Sequence, residues 1–230
     1  MVNIFIVGGS LNRSKIIIFI CFLIFISFFN AVFASSKKMN LLSKVIYLDP
    51  GHGGADSGAY YKNYREADIN LQISRKLMDK LKEEGAIVYL TRYDDYDLSV
   101  SNAWNRKRSD LSRRANIINK SRCDLYLSIH LNAEDSGLFS GAEVYYDTIN
   151  AENEKIAAIF QEEFKKHLNS NRNFKENSTK YLQRRINRPG VLLEVGFLSN
   201  SSDRALLTSP VYQNKLANVI KNGVIRYFAS

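Results

Sequence analysis

Apolar residues along the chain fall into three patterns, and each predicts a different kind of element. Short unbroken runs, Val45-Ile46-Tyr47-Leu48, Leu125 to Ile129 and Val191 to Val195, read as buried strands. Ala86 to Thr91 and Ala142 to Tyr146 read as two more. Helical spacing marks four amphipathic helices. The first begins at Glu66, carries Ile69, Ile73, Leu77 and Leu81, and is stopped by Gly85. The second fits Ser109 to Lys120, and the third runs from Ala151 to Leu168 through Ile156, Ile159, Phe160 and Phe164. The last takes Ser209 as N-cap and Pro210 at its first position and continues to about Phe228. A Gly-rich loop to about Arg65, a polar loop holding Trp104 and a basic stretch to about Arg188 separate these elements. Strands alternating with helices predict an α/β fold, a single three-layer domain with a mostly parallel or mixed central sheet and helices on both faces.

The third pattern is the apolar run Ile16 to Phe29, preceded by Arg13 and Lys15 and followed by Val32-Phe33-Ala34. That layout predicts a signal peptide over residues 1–34. The alternative is an uncleaved N-terminal membrane anchor, since the run approaches the roughly 20 residues that span a bilayer. Residues 35–43 then form a polar linker and residues 44–230 the folded domain, long enough for one core. On either reading the domain is exported.

Composition narrows the choice of partners and chemistry. Cys21 falls in the export segment and leaves Cys123 alone, so there is no intramolecular disulfide; beside an apolar run, Cys123 reads as a packed, inert thiol. The full chain carries a net charge of +9; without Arg13 and Lys15 the rest carries +7 and favours anionic partners. Basic residues scattered among acids, on an exported chain, argue against nucleic acid.

Candidate chemistry appears where polar residues interrupt apolar strands. Glu194 sits within Val191 to Phe197, a run otherwise apolar enough for a central strand, where a carboxylate is costly unless it is used. His130 directly follows the run Leu125 to Ile129, and His52 follows the strand that ends near Asp49. Ligands in open α/β sheets gather beyond the C-terminal ends of strands. The third histidine, His167, belongs to an amphipathic helix beside Lys165 and Lys166 and reads as solvated. Two neutral imidazoles, one carboxylate and an open position for water form a catalytic zinc set. The spacing matches no compact motif, and Glu66, Asp68, Asp56 and Asp49 all remain open as the third ligand.

Four blocks, in order, carry a resemblance. They are Leu48-Asp49-Pro50-Gly51-His52-Gly53-Gly54, Arg65-Glu66-Ala67-Asp68-Ile69-Asn70-Leu71, Ser128-Ile129-His130-Leu131-Asn132-Ala133 and Leu193-Glu194-Val195-Gly196-Phe197-Leu198-Ser199-Asn200. Together, from Lys44 to Phe228, the chain resembles the zinc-dependent N-acetylmuramoyl-L-alanine amidases known as amidase type 3. The resemblance implies that His52, Glu66 and His130 bind one Zn2+ per chain and that Glu194 is the catalytic carboxylate, with Asn132 and Arg114 shaping the site. It implies hydrolysis of the amide between the lactyl group of N-acetylmuramic acid and L-alanine in peptidoglycan.

Finer features, the block Ser128 to Ala133 and the ending Tyr212-Gln213-Asn214-Lys215-Leu216, resemble the sporulation (CwlD-type) branch. That branch implies work on spore cortex, in the cell wall, a periplasm-like space or the forespore intermembrane space, and leaves room for an activating protein partner. Contact with the membrane is then expected only through an uncleaved N-terminal segment. The chain departs from the family pattern at Gly190 and in the basic pair Arg184-Arg185. The rival readings are a catalytically silent peptidoglycan-binding or regulatory protein and a zinc peptidase that cuts within the stem peptide.

Overall fold

A computed structural model of the protein describes residues 13–34, 39–177 and 180–230. Residues 1–12 of the expected export segment, and Ser35 and Ser36 at its expected cleavage point, lie outside the described residues, as does the start of the 35–43 linker. The described residues fall into two compact units, divided after Lys38. In the first, Arg13–Ala34 forms helix α1, and its side chains from Ile17 to Ile26 are exposed. Among the described residues no helix is long and apolar enough to cross a membrane.

The second unit is an α/β domain around a six-stranded sheet. Its elements are β1 (Val45–Pro50), the small hairpin β2 (Tyr60–Tyr61) and β3 (Tyr64–Arg65), α2 (Glu66–Lys82), β4 (Ile87–Leu90), α3 (Arg106–Lys120), β5 (Leu125–Asn132), β6 (Glu143–Tyr146), α4 (Asn153–Leu168), β7 (Lys175–Glu176), β8 (Gly190–Phe197), α5 (Ser201–Leu207) and α6 (Pro210–Ala229). A 3-10 turn covers Gln183–Arg185. The strand order is β4-β1-β5-β8-β6-β7, and β4, β1, β5 and β8 are mutually parallel. β6 runs antiparallel to β8, so the sheet is mixed.

Side chains alternate across a strand, and here the alternation sorts them into two cores. Ile46 and Leu48 of β1, Leu125, Leu127, Ile129 and Leu131 of β5, and Val191, Leu193 and Val195 of β8 join α2, α4 and α6 in the larger core. Opposite residues face the other way. Tyr126 packs there with Ala115 and Ile118 of α3, Cys123, Leu182 and Ile186 in a smaller core, with Tyr47 against it. The odd-even rule puts Asp49, Ser128, His130 and Glu194 on this thinner side.

The glycine at position 190 has a local cause. A Cβ at Gly190 would lie 2.2 Å from both the ring and the carbonyl oxygen of Tyr126, so the close approach of β8 to β5 beneath that ring admits no side chain. Cys123 is buried, and burial raises its pKa above the ordinary thiol value, in keeping with an unreactive packed thiol.

Several boundaries move from their expected places. α3 starts three residues before Ser109, because the Asn105 side chain accepts a hydrogen bond from Arg108 N at 2.8 Å and caps the helix there. β5 continues through His130 to Asn132, so His130 lies inside the strand rather than after it. Ser209 is at the N-cap of α6 with Pro210 next, but its side chain makes no cap hydrogen bond.

Candidate metal and catalytic site

Strand register builds the site's floor. His130 and Glu194 are direct partners on the parallel strands β5 and β8 and project to the same face. The register shifts between His130 and Asn132, a local irregularity beside the site. His52 stands two residues beyond β1 with φ of 60°, a left-handed conformation that a non-glycine residue adopts at a cost. The β2–β3 hairpin delivers the chain to α2, whose first residue is Glu66. Its buried carboxylate therefore sits at a helix N-terminus, where the peptide dipoles favour negative charge.

These three side chains meet. Glu66 Oε1 lies 3.3 Å from His52 Nε2 and 3.0 Å from His130 Nδ1. One donor atom from each of the three lies within 4.8 Å of the others. Ligand atoms about 2.1 Å from a tetrahedral zinc are about 3.4 Å apart, so the donor set fits such an ion in both chemistry and spacing. Room for the His130 ring is built into the backbone: a Cβ on Gly51 would lie 2.2 Å from that ring.

Polar groups hold two of the three donors in place. Asp56 Oδ2 lies 2.9 Å from His52 Nδ1, which fixes the ring so that Nε2 faces Glu66. Glu66 Oε1 accepts from Leu131 N at 3.0 Å and from Asn70 Nδ2 at 3.2 Å, and its Oε2 accepts from Ala59 N at 2.9 Å. Burial alone would raise the Glu66 pKa, but the two imidazoles hold it well below the ordinary carboxylate range. Burial also pushes His52 down, yet Glu66 and then Asp56 outweigh it and leave its pKa raised.

Two buried arginines hold the loop that carries His52. Arg114 donates to Asp49 Oδ1 and to Pro50 O at 2.8 Å, and to His52 O at 2.7 Å. Arg92 donates to Pro50 O and Gly51 O, both at 3.0 Å. Burial, with Arg114 nearby, lowers the Arg92 pKa to about 10. Asp49 also accepts from the hydroxyls of Thr91 at 2.6 Å and Ser128 at 2.7 Å.

Of the residues left open for the third donor position, the structure brings Glu66 to the two histidines. Asp49 is engaged by Arg114, Asp68 is paired with Arg65 at 3.2 Å, and Asp56 stands behind His52. Asn132 reaches not the donors but Glu143, at 2.9 Å. His167 is partly exposed on α4, 3.5 Å from Glu163.

Glu194 opens to the same cleft of about 470 Å³ as His52, Glu66 and His130. Its Oε1 accepts from Lys180 Nζ at 3.0 Å. Its Oε2 is buried and has no hydrogen-bond partner among the described residues. A carboxylate with an unpartnered oxygen, on a residue that lines the cleft of the donor set, has proton-accepting capacity that the protein does not use up. Lys180, Arg92 and Asn70 escaped the reading of the sequence, and Asp56, open there as a third ligand, stands instead behind His52. Asn70, four residues after Glu66 on α2, offered a signal in its helical spacing, whereas Lys180 and Arg92 reach the site only through tertiary contacts.

Over residues 46–226 the chain matches the family described as N-acetylmuramoyl-L-alanine amidase. It is 44% identical over 195 residues to the germination-specific N-acetylmuramoyl-L-alanine amidase of Bacillus subtilis (strain 168), covering 83% of this chain and 82% of that one. It is 32% identical over 197 residues to N-acetylmuramoyl-L-alanine amidase LytC of the same organism, covering 85% of this chain but 38% of LytC. Among solved structures it is similar to the CwlD amidase from Clostridioides difficile in complex with the GerS lipoprotein. There the identity is 36% and the TM-score 0.77, covering 81% of this chain and 99% of that one.

Proposed function

This chain belongs to the N-acetylmuramoyl-L-alanine amidase family, and from that membership we propose that His52, Glu66 and His130 hold one zinc ion while Glu194 moves the protons of the reaction. The bond cut is the amide between the lactyl group of N-acetylmuramic acid and L-alanine in peptidoglycan. The observation that carries the proposal is Glu66 Oε1 standing 3.3 and 3.0 Å from two imidazole nitrogens, in a cleft shared with Glu194.

A bound zinc ion supplies polarisation of the amide carbonyl and lowers the pKa of water towards about 7. The chain's own residues do the rest. Asp56 keeps His52 in the tautomer that turns Nε2 inward, and Leu131 N, Asn70 and Ala59 N hold the Glu66 carboxylate still. Glu194 takes a proton from the attacking water and returns it to the departing L-alanine nitrogen, which would otherwise have to leave as an amide anion.

Work on spore cortex belongs to the same proposal, supported by the germination-specific relative. So does export to the cell wall through residues 1–34, as signal peptide or anchor, followed by the 35–43 linker and the amidase domain of 44–230. A protein partner that activates the enzyme is proposed from the relative solved with a lipoprotein.

Mass spectrometry of digested peptidoglycan, with and without a chelator, tests the reading. The expected products are stem peptides with a free L-alanine amino group and glycan with a free lactyl carboxylate, both lost on chelation. Cleavage within the stem peptide would replace this reading with a zinc peptidase. Binding without cleavage would point to a silent wall-binding protein.

A further inference from the structure

The rim of the cleft carries cationic groups that the proton transfers leave unused. Tyr181 lines the cleft beside Lys180 and Glu194. Two guanidiniums pack on its ring, Arg185 at 4.1 Å and Arg108 at 5.6 Å from the centroid. The Tyr181 hydroxyl accepts from Arg108 Nε at 3.3 Å and lies 2.9 Å from Ser112 Oγ. Neither guanidinium has a carboxylate partner among the described residues. Lys107 lines the same cleft with a mostly exposed side chain, its nearest acid Asp56 at 3.9 Å.

The placement of these charges is unfavourable for folding alone. Arg106, Lys107 and Arg108 fill the first turn of α3, which holds no acidic residue. A helix N-terminus is already the positive end of the peptide dipole, so cations there repel it. Arg106 is compensated by Asp97 at 2.6 Å; Arg108 instead turns to an aromatic ring shared with Arg185. Arg185 belongs to the exposed basic pair Arg184-Arg185. A guanidinium stacked on a ring keeps N–H edges free, and that planar fork matches a carboxylate.

We infer that Arg108 and Arg185, gathered by Tyr181 at the cleft rim, bind a carboxylate of the stem peptide, so that the enzyme selects acidic over amidated peptides. The inference rests on the amidase reading and deepens it. The group addressed is the carboxylate on the residue after L-alanine, about 7 Å from the scissile nitrogen at about 3.5 Å per extended residue.

The test uses two soluble muropeptides, identical except that this group is a free carboxylate in one and a carboxamide in the other. The ratio of their kcat/KM values, measured on one preparation of zinc-loaded full-length protein, does not depend on the fraction that is correctly folded. The wild type should favour the carboxylate about tenfold or more, the discrimination of one charge-assisted hydrogen bond. The double variant Arg108→Gln, Arg185→Gln should bring the ratio close to one, Arg185→Glu should reverse it, and Arg185→Lys should keep part of it. Calorimetric binding of the two released peptides should follow the same order without any turnover. Equal cleavage of both substrates by the wild type, or an undiminished ratio in the double variant, would remove the subsite and leave the amidase reading standing. Cleavage of neither substrate would overturn the amidase reading, and the subsite with it.

Discussion

At the scale of the residue, the site separates groups that hold from groups that transfer. His52, Glu66 and His130 touch one another, whereas Glu194 keeps a buried oxygen unpartnered among the described residues. Glu194→Gln is therefore expected to keep zinc near wild-type stoichiometry while activity falls about a hundred- to ten-thousand-fold. His52→Ala should lose both metal and activity. Elemental analysis and assay of released L-alanine-terminated peptides measure the two effects. A Glu194→Gln enzyme of near wild-type rate would transfer the role to another carboxylate, with Glu143, the strand neighbour of Glu194 on β6, next in line. Asp56 gives a second expectation: Asp56→Asn removes the anion that orients His52 and should weaken zinc binding about ten- to a hundred-fold, read by competition with a chromogenic chelator. The positions of His52, His130 and Glu194 were legible in the sequence because Glu194 interrupts an apolar run, His130 directly follows one and His52 lies just beyond the end of another. Lys180 and Arg92 were not, since a lone basic residue in a polar stretch looks the same whether it faces solvent or a buried carboxylate.

At the scale of the element, the β1–loop junction is held by side chains from α3, from beyond β4 and from β5. Arg114 on α3, Thr91 and Ser128 converge on Asp49, which is fully buried. Burial raises the Asp49 pKa, but the Arg114 charge and the hydroxyl hydrogen bonds overcome it and hold the carboxyl below its ordinary value. A carboxyl whose folded pKa is depressed stabilises the fold above its unfolded pKa, near 3.9, and loses that contribution as pH falls through the folded value. Thermal unfolding followed from pH 6 to pH 2 should thus show Tm dropping on the acid side below about pH 4. Asp49→Asn should melt lower at pH 6, because it removes one of the two carboxylates paired with the buried Arg114 and leaves Asp110 alone to offset that charge, and lose Tm more gently with acid. An acid limb of unchanged steepness would show that other carboxylates control it. The long periodic helices were readable in advance. α5 was not, because seven residues are too few for a period to show, and Asn200 nucleates it by accepting from Ser202 N and Asp203 N. The two-residue strands β2, β3 and β7 carry no pattern at all, and only backbone pairing defines them.

At the scale of the whole molecule, the fold class was legible because alternating strands and helices leave few ways to pack a single sheet. The division into a large apolar core and a thin polar-faced one was not, since it depends on which strand neighbours which. Net charge is the property that needs no fold to be read. From residue 35 onward, the count is 30 basic residues against 23 acidic ones, a net +7. Part of that charge is neutralised locally, as where Lys175 meets Glu143 at 3.0 Å and Arg65 meets Asp95 at 2.8 Å. Lys107, Arg108 and Arg185 remain available near the cleft. If this charge draws the enzyme to an anionic wall, attraction between exposed groups acts through water and is screened over about 8 to 10 Å at physiological ionic strength, and over about 3 Å at 1 M salt. Cosedimentation of the Glu194→Gln protein with purified sacculi isolates binding from cleavage, and the bound fraction should fall steadily as sodium chloride is raised. The Arg108→Gln, Arg185→Gln protein should start lower and fall less steeply, since fewer screened charges remain to be lost. Retention that ignores salt in both proteins would rule out long-range charge as the attachment force and assign it to close hydrogen-bonded and apolar contacts with the glycan strand.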